Sequence, residues 1–348
     1  MGNIRSKPVP EVTSDGKLGT DILAHKRLSI AQRESTRKRL ARIECLPAPI
    51  GGNRSQAVAF QYPSDHTFDY DEAILGVNPR KVTLGAHVQN GGAFSGVVRV
   101  VSLFLGRTGE WWQTTGSGVI IDDYHVMTVG HNIWSLEGGL ALCISIHRDE
   151  RAGPEHLYKR YVDAGAVHYQ WAQACFEAKE STFMRKSSWE NDLAVLRVSK
   201  RFHEGCQRME YRQTPIGTTD VGIYGFPGDM PIVEGVWQAS LCISPSKVTY
   251  APSTSTMLDH DGDTEGGNSG GPVVDCFGNV IALHRGFDKV DRARINKAVA
   301  LLVNGNDPEK LMQTIDVFSG EKSIEDFQVR EVNKFTIGKC TAAYFGWD

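Results

Sequence analysis

Apolar residues in this chain come in short runs, not in long helical stripes. Val97–Leu105 is nearly continuous in Val, Leu and Phe, the composition of a strand buried on both faces. Residues 116–134, GSGVIIDDYHVMTVGHNIW, read as an apolar strand, a turn at Asp122-Asp123, a second strand and then His131. Residues 191–198, NDLAVLRV, carry an acid, Asp192, into another apolar strand. Turn residues recur at short intervals, and helical periodicity is scarce before residue 307. This pattern predicts an all-β fold built as a pair of barrels, the second beginning near Val221-Gly222-Ile223-Tyr224-Gly225-Phe226. Asp307-Pro308 reads as a helix cap followed by proline at the first helical position, which predicts a terminal helix over 308–318.

Three stretches stand apart from this pattern. Residues 149–190 are charged and aromatic, with Tyr158, Tyr161, Tyr169 and Trp171, and read as a surface excursion over a cleft. Residues 20–46 read as a helix carrying Lys26, Arg27, Arg33, Arg37, Lys38, Arg39 and Arg42 against Asp21, Glu34 and Glu44. Pro47, Pro49, Gly51 and Gly52 then break it into a linker. Near the end, FTIGKCTAAYFGW is apolar enough to be ordered, as an added strand or a docking tail. The chain thus divides into a basic N-terminal extension (1–72), a central domain (73–318) and a tail (319–348).

Composition narrows the function without naming it. The 348 residues are 41% hydrophobic, enough for a substantial core. A net charge of −3 gives no reason to expect a nucleic-acid partner. No apolar run approaches the roughly 18 residues of a transmembrane helix, and the N-terminus lacks the apolar core of a secretory signal. The seven cysteines are an odd number with no C-x-x-C pair, which favours reduced thiols, an intracellular setting and no zinc site. No cofactor is expected. The opening Met1-Gly2-Asn3-Ile4-Arg5-Ser6 fits an N-myristoylation pattern at Gly2. One acyl chain binds membranes only marginally, and the basic helix would be the second signal that makes a membrane surface a partner. The competing reading is a solvated basic helix behind an accidental start.

The chemistry concentrates in Gly262-Asp263-Thr264-Glu265-Gly266-Gly267-Asn268-Ser269-Gly270-Gly271-Pro272. A serine among glycines can present its hydroxyl while main-chain N–H groups converge beside it, the arrangement acyl transfer needs. Ser269 is the candidate nucleophile, and the N–H groups of Gly267 and Ser269 the candidate oxyanion donors. Taken alone, the string also fits a Gly-rich turn or the G-x-S-x-G elbow of another hydrolase class. That class places its acid and histidine after the serine; here only His284 follows, too close behind. The opposite order, His131, Asp192, Ser269, matches a His-Asp-Ser triad. Asp122, Asp123 and Asp163 are rivals for the acid, and Asp192 is preferred because it enters a buried strand.

Those three motifs resemble the trypsin-like serine peptidases. TVGHN is similar to their histidine box, NDLAVL to their aspartate strand and GGNSGGP to their serine loop. Within that superfamily the resemblance is closest to the glutamyl endopeptidases, through Asp263-Thr264-Glu265-Gly266-Gly267-Asn268-Ser269 and the later Leu283-His284-Arg285-Gly286, over roughly 73–318. It implies two six-stranded antiparallel β-barrels with a C-terminal helix, and a peptidase acting on protein or peptide substrates. It implies that Thr264 and His284 line the pocket for an acidic residue at P1, as an imidazolium beside a hydroxyl. Arg285 stands where a small or aromatic residue is usual after that histidine, and is a candidate substrate-binding residue that would either help or obstruct the pocket. Asp263 keeps basic P1 specificity open as an alternative, and a catalytically silent binding module remains a third reading. Asn268 replaces the aspartate that in trypsins pairs with a newly freed N-terminus, which implies a site formed before any cleavage. If the enzyme cuts after Glu, the bond between Glu72 and Ala73 is a candidate self-processing site; an ordinary acidic loop is the equal alternative.

Overall fold

The structure is a computed structural model that describes residues 56–61, 81–105, 111–135, 139–152, 159–177, 186–228, 240–287, 296–322, 329–337 and 340–347. The Gly2 lipidation pattern, the basic helix and the Glu72–Ala73 bond lie outside these residues.

In chain order the first half contains β1 (Gln56–Gln61), β2 (Lys81–Val82), the short helix α1 (Gly85–Val88), β3 (Val97–Leu105), β4 (Trp111–Ile120) and β5 (His125–Thr128). There follow a small hairpin of β6 (Trp134–Ser135) and β7 (Gly139–Leu140), then β8 (Cys143–His147), β9 (Arg160–His168), α2 (Tyr169–Glu177), α3 (Lys186–Trp189) and β10 (Ala194–Val198). Strands β3, β4, β5, β10, β9 and β8 pair in that order, antiparallel, and β8 returns to β3, closing a six-stranded barrel.

The second half contains β11 (Gly217–Gly225), β12 (Cys242–Tyr250), β13 (Met257–His260), β14 (Pro272–Asp275), β15 (Val280–Phe287) and β16 (Asn296–Ala300). These close a second antiparallel six-stranded barrel in the order β11, β14, β15, β16, β13, β12 and back to β11, with β2 added on the β12 edge. Helix α3's successor, α4 (Pro308–Phe318), starts where the cap predicts: the Asp307 carboxylate accepts from the N–H groups of Glu309 and Lys310. Two further strands, β17 (Val329–Ile337) and β18 (Cys340–Trp347), form a hairpin. The two-barrel architecture expected from the resemblance is the one observed.

Each barrel has its own core. Val98, Val100, Phe104, Ile144 and Leu196 fill the first, and Ile223, Val248, Leu258, Ile281 and Ala298 the second. A third apolar cluster joins them: Val119, Met127 and Leu193 meet Tyr224, Phe226, Val274 and Leu283, with Leu311 and Ile315 of α4 alongside. Burying a side chain of this size contributes about 1.5–3 kcal/mol, so the seam between the barrels is a stable platform for residues projecting from it.

Two expectations need correction or completion. Within 149–190, Arg160–His168 is not part of a surface excursion but a barrel strand with Ala164, Ala166 and Val167 fully buried. Arg160 and Asp163 are charged and Ala164, Gly165 and Ala166 small, so the strand lacks the bulky apolar signature of its neighbours. The second concerns the two ends of the chain. β1 pairs with the upper half of β9 on one side and with β18 on the other. Gln56–Gln61 therefore lies in the same sheet as Cys340–Trp347, and Val58 and Phe60 pack into the first core.

Candidate active site

The site lies along the seam, where segments from both barrels approach one another. β5 ends at Thr128 and the chain turns through a single helical turn, Gly130–Asn132, that carries His131. From the other side, α3 ends at Trp189 and a tight turn follows, in which the Asp192 N–H donates to the Trp189 carbonyl at 3.3 Å. Asn306, fully buried after β16, donates to the Glu190 carbonyl at 2.6 Å, and Asn191 Nδ2 donates to the Asn304 carbonyl at 2.9 Å. These bonds pin the Asp192 turn to the second barrel.

Asp192 and His131 meet as a pair. His131 Nδ1 donates to Asp192 Oδ2 at 2.7 Å, and the His131 main-chain N–H donates to Oδ1 at 2.8 Å. A carboxylate can only accept, so this geometry puts the ring proton on Nδ1 and leaves Nε2 as an acceptor. The Asp192 side chain is fully buried, whereas that of His131 is 29% exposed and can reach a ligand. The rival acids are occupied elsewhere: Asp122 holds His125, Asp123 pairs with Arg201 and Arg208, and Asp163 pairs with Arg197.

The serine loop is held by main-chain geometry. Gly267 (φ +98°) and Gly270 (φ +86°) adopt left-handed conformations. A Cβ at Gly267 would meet the Phe226 carbonyl oxygen at 2.3 Å, and one at Gly270 would meet the Ser117 carbonyl oxygen at 2.2 Å. Only glycine is free of both the strain and the clash. The Gly228 N–H donates to the Gly266 carbonyl at 2.6 Å. Because a trans peptide sets C=O and N–H antiparallel, the Gly267 N–H then points away from Gly228. Buried Ser117 clamps the other side, donating to the Gly267 carbonyl at 2.7 Å and accepting from the Phe226 N–H at 2.9 Å.

Ser269 itself is tied to both barrels. Its carbonyl accepts from the Ser117 N–H at 2.7 Å and from Asn132 Nδ2 at 2.8 Å, so the residue after the histidine anchors the serine loop. Its hydroxyl donates to the Arg285 carbonyl at 3.1 Å. The guanidinium of the same Arg285 reaches Asp192, with Nε 3.1 Å from Oδ2. Ser117, Asn132 and Asn306 extend the site beyond the residues the motifs single out, and Arg285, a candidate for the substrate pocket, reaches Asp192. The G-S-G string at 116–118 and the asparagine directly after His131 were the available signals for two of them.

A second histidine pair lies next to the serine loop. His284 Nδ1 and His260 Nε2 are 3.0 Å apart, with both rings buried. Burial lowers the His260 pKa to about 4 and pushes that of His284 well below its ordinary range, where the nearby His260, His131 and Arg285 add to the effect. The expectation of a standing imidazolium at His284 is therefore corrected: in the free protein at neutral pH this ring is uncharged. Thr264 is partly buried, and Asp263 is exposed. Cys175, beside Asp192, is a buried thiol whose pKa burial raises well above its usual value, so it is protonated and not a rival nucleophile. Among the described residues, Cys143, Cys175, Cys206, Cys242 and Cys276 form no disulfide, and no group of three His, Cys, Asp or Glu could hold a metal ion. No described helix is long and apolar enough to cross a membrane.

Comparison with known proteins bears on the fold and the likeness of the chain. Residues 116–283, from the strand before His131 to the residue before His284, match the trypsin-like peptidase domain family. A glutamyl endopeptidase of Staphylococcus epidermidis is 25% identical over 179 residues, covering 49% of this chain and 54% of that protein. A glutamyl endopeptidase of Staphylococcus aureus (strain MRSA252) is 29% identical over 147 residues, covering 40% of this chain and 37% of that one. The chain thus spans about half the length, or less, of these curated relatives. Among solved structures, a Glu endopeptidase in complex with MPD superposes with a TM-score of 0.50 at 17% identity, covering 70% of this chain and 99% of the other. That likeness establishes a chymotrypsin-like fold. This chain resembles the trypsin-like serine peptidases, close to the glutamyl endopeptidases.

Proposed function

We propose that the protein is a serine endopeptidase in which His131, Asp192 and Ser269 act as a triad. The observation that carries this reading is the 2.7 Å bond between buried Asp192 and the half-open ring of His131, beside a serine held on left-handed glycines. Ser269 Oγ attacks the scissile carbonyl carbon as its hydroxyl exchanges the Arg285 carbonyl for His131 Nε2, which takes the proton. Asp192 stabilises the imidazolium that forms. The N–H groups of Gly267 and Ser269 donate to the oxygen that becomes negative. Collapse breaks the C–N bond and His131 returns the proton to the leaving amine, leaving an acyl-serine. Water, deprotonated by the same ring, then releases the acid and restores Ser269.

The specificity we propose is for glutamate, or aspartate, at P1, bound by His284 and Thr264. The names of the curated relatives support it, as does the exposure of Asp263, which offers no buried carboxylate to a basic side chain. A neutral His284 whose Nδ1 is occupied by His260 can present Nε2–H as a donor to the substrate carboxylate. The entering negative charge also favours uptake of a proton by the ring. A peptide library varied only at P1 tests this reading: cleavage after Glu is expected to dominate. Cleavage after Lys or Arg with none after Glu would overturn it.

A further inference from the structure

The acid of the His131–Asp192 pair has a second cationic neighbour that the triad scheme does not use. Arg285 follows His284 on β15, and its side chain turns back across the seam and is only 11% exposed. Its guanidinium carbon lies 3.9 Å from the centre of the Trp189 ring and 6.0 Å from that of Trp171, a stacked placement that desolvates the charge and holds it in one position. Trp189 belongs to the same turn as Asp192, so the platform for the guanidinium and the carboxylate it approaches are fixed together. Asp192 Oδ2 is thereby shared: it accepts from His131 Nδ1 at 2.7 Å and lies 3.1 Å from Arg285 Nε.

We propose that Arg285 is a positioning residue that shares Asp192 with His131 and, through that shared carboxylate, sets the pH at which the imidazole becomes available as a base. The inference rests on the triad reading above. A fixed cation beside Asp192 offsets part of the negative charge that would otherwise stabilise the imidazolium. At an effective dielectric of about 20, a unit charge a few ångströms from a titrating group is strong enough to move its titration measurably. Among the described residues, Cys175 of α2, uncharged because burial raises its pKa, and His284, uncharged because burial lowers its pKa, also face the pair. Arg285 is thus a charged neighbour able to move the pair. The same residue also accepts the resting Ser269 hydroxyl through its carbonyl, so the backbone that steadies the serine carries the charge that tunes the base.

The test compares wild type with R285K, which keeps the charge, and R285Q, which removes it. The acid limb of kcat/KM reports protonation of the free enzyme's base. R285Q is expected to raise its midpoint by about one pH unit, while R285K stays at the wild-type midpoint. In parallel, the His131 ring is titrated by NMR in a Ser269→Ala background with and without R285Q, a readout independent of peptide turnover. An upward shift there supports the coupling even if no peptide is cleaved, in which case the peptidase reading fails and this one stands. Peptide cleavage with unmoved midpoints in R285Q, by both readouts, overturns the coupling and leaves the peptidase reading intact. R285K behaving like R285Q also overturns it, because charge would then not be the operative property.

Discussion

Two histidine pairs sit within the same seam, and their surroundings assign them opposite electrical roles. His131 faces a carboxylate and keeps 29% of its side chain open, so a positive charge on the ring has a partner and a route to ligand. His284 faces another imidazole, is buried with it, and holds no proton charge at neutral pH in the free protein. The ring chemistry is identical, and the difference lies in what each ring faces and how dry the site is. One pair is suited to accept and return a proton, the other to donate a hydrogen bond from a neutral ring.

The comparison can be broken most severely at its charged member. Asp192→Asn removes the carboxylate and permits the wrong tautomer of His131, and kcat is expected to fall by about 10⁴-fold with little change in KM. Steady-state kinetics on a Glu-containing peptide would check this. Next, Gly267→Ala forces a Cβ toward the Phe226 carbonyl and turns the N–H away from its present direction. A loss of about 10²–10³-fold in kcat is expected, with the His131–Asp192 pair left intact.

A third prediction sharpens the contrast from the neutral side. Burial lowers His168 and His260 to about 4 and His147 to about 3, and lowers His284 as well. Below the unfolded value near 6.5 the unfolded chain binds protons that the folded chain refuses. The stability these residues contribute is therefore fully present above about pH 6.5 and is lost as pH falls toward 4. Each histidine adds up to about 1.4 kcal/mol per pH unit in that window. Urea unfolding at pH 7 and at pH 5 measures the slope, and His168→Gln should flatten it. The smallest effect is a control remote from both pairs. Asp307→Ala removes the α4 cap, and stability is expected to drop by about 1 kcal/mol with kcat/KM unchanged.

Much of this was legible along the chain because the chemistry is local in sequence. His131 follows an apolar strand, Asp192 precedes one, and Ser269 sits in a glycine string, so each motif declares its own element. The terminal helix was equally plain from Asp307-Pro308. What the sequence hid depends on pairing across distance. β9 was unreadable because Ala164, Gly165 and Ala166 are small and Arg160 and Asp163 charged. The union of β1 with β18 joins segments from opposite ends of the chain, which no local pattern encodes. His260 and Arg285 act through neighbours that are remote in sequence, and the charge state of His284 is set by burial, so residue type alone suggested the wrong one.

The most direct test of the central claim is labelling with a fluorophosphonate probe, followed by mapping of the modified residue. The folded wild-type protein is expected to be labelled at Ser269, with labelling lost in His131→Ala. A wild-type protein that is folded, as judged by cooperative unfolding, yet stays unlabelled at Ser269 would contradict it.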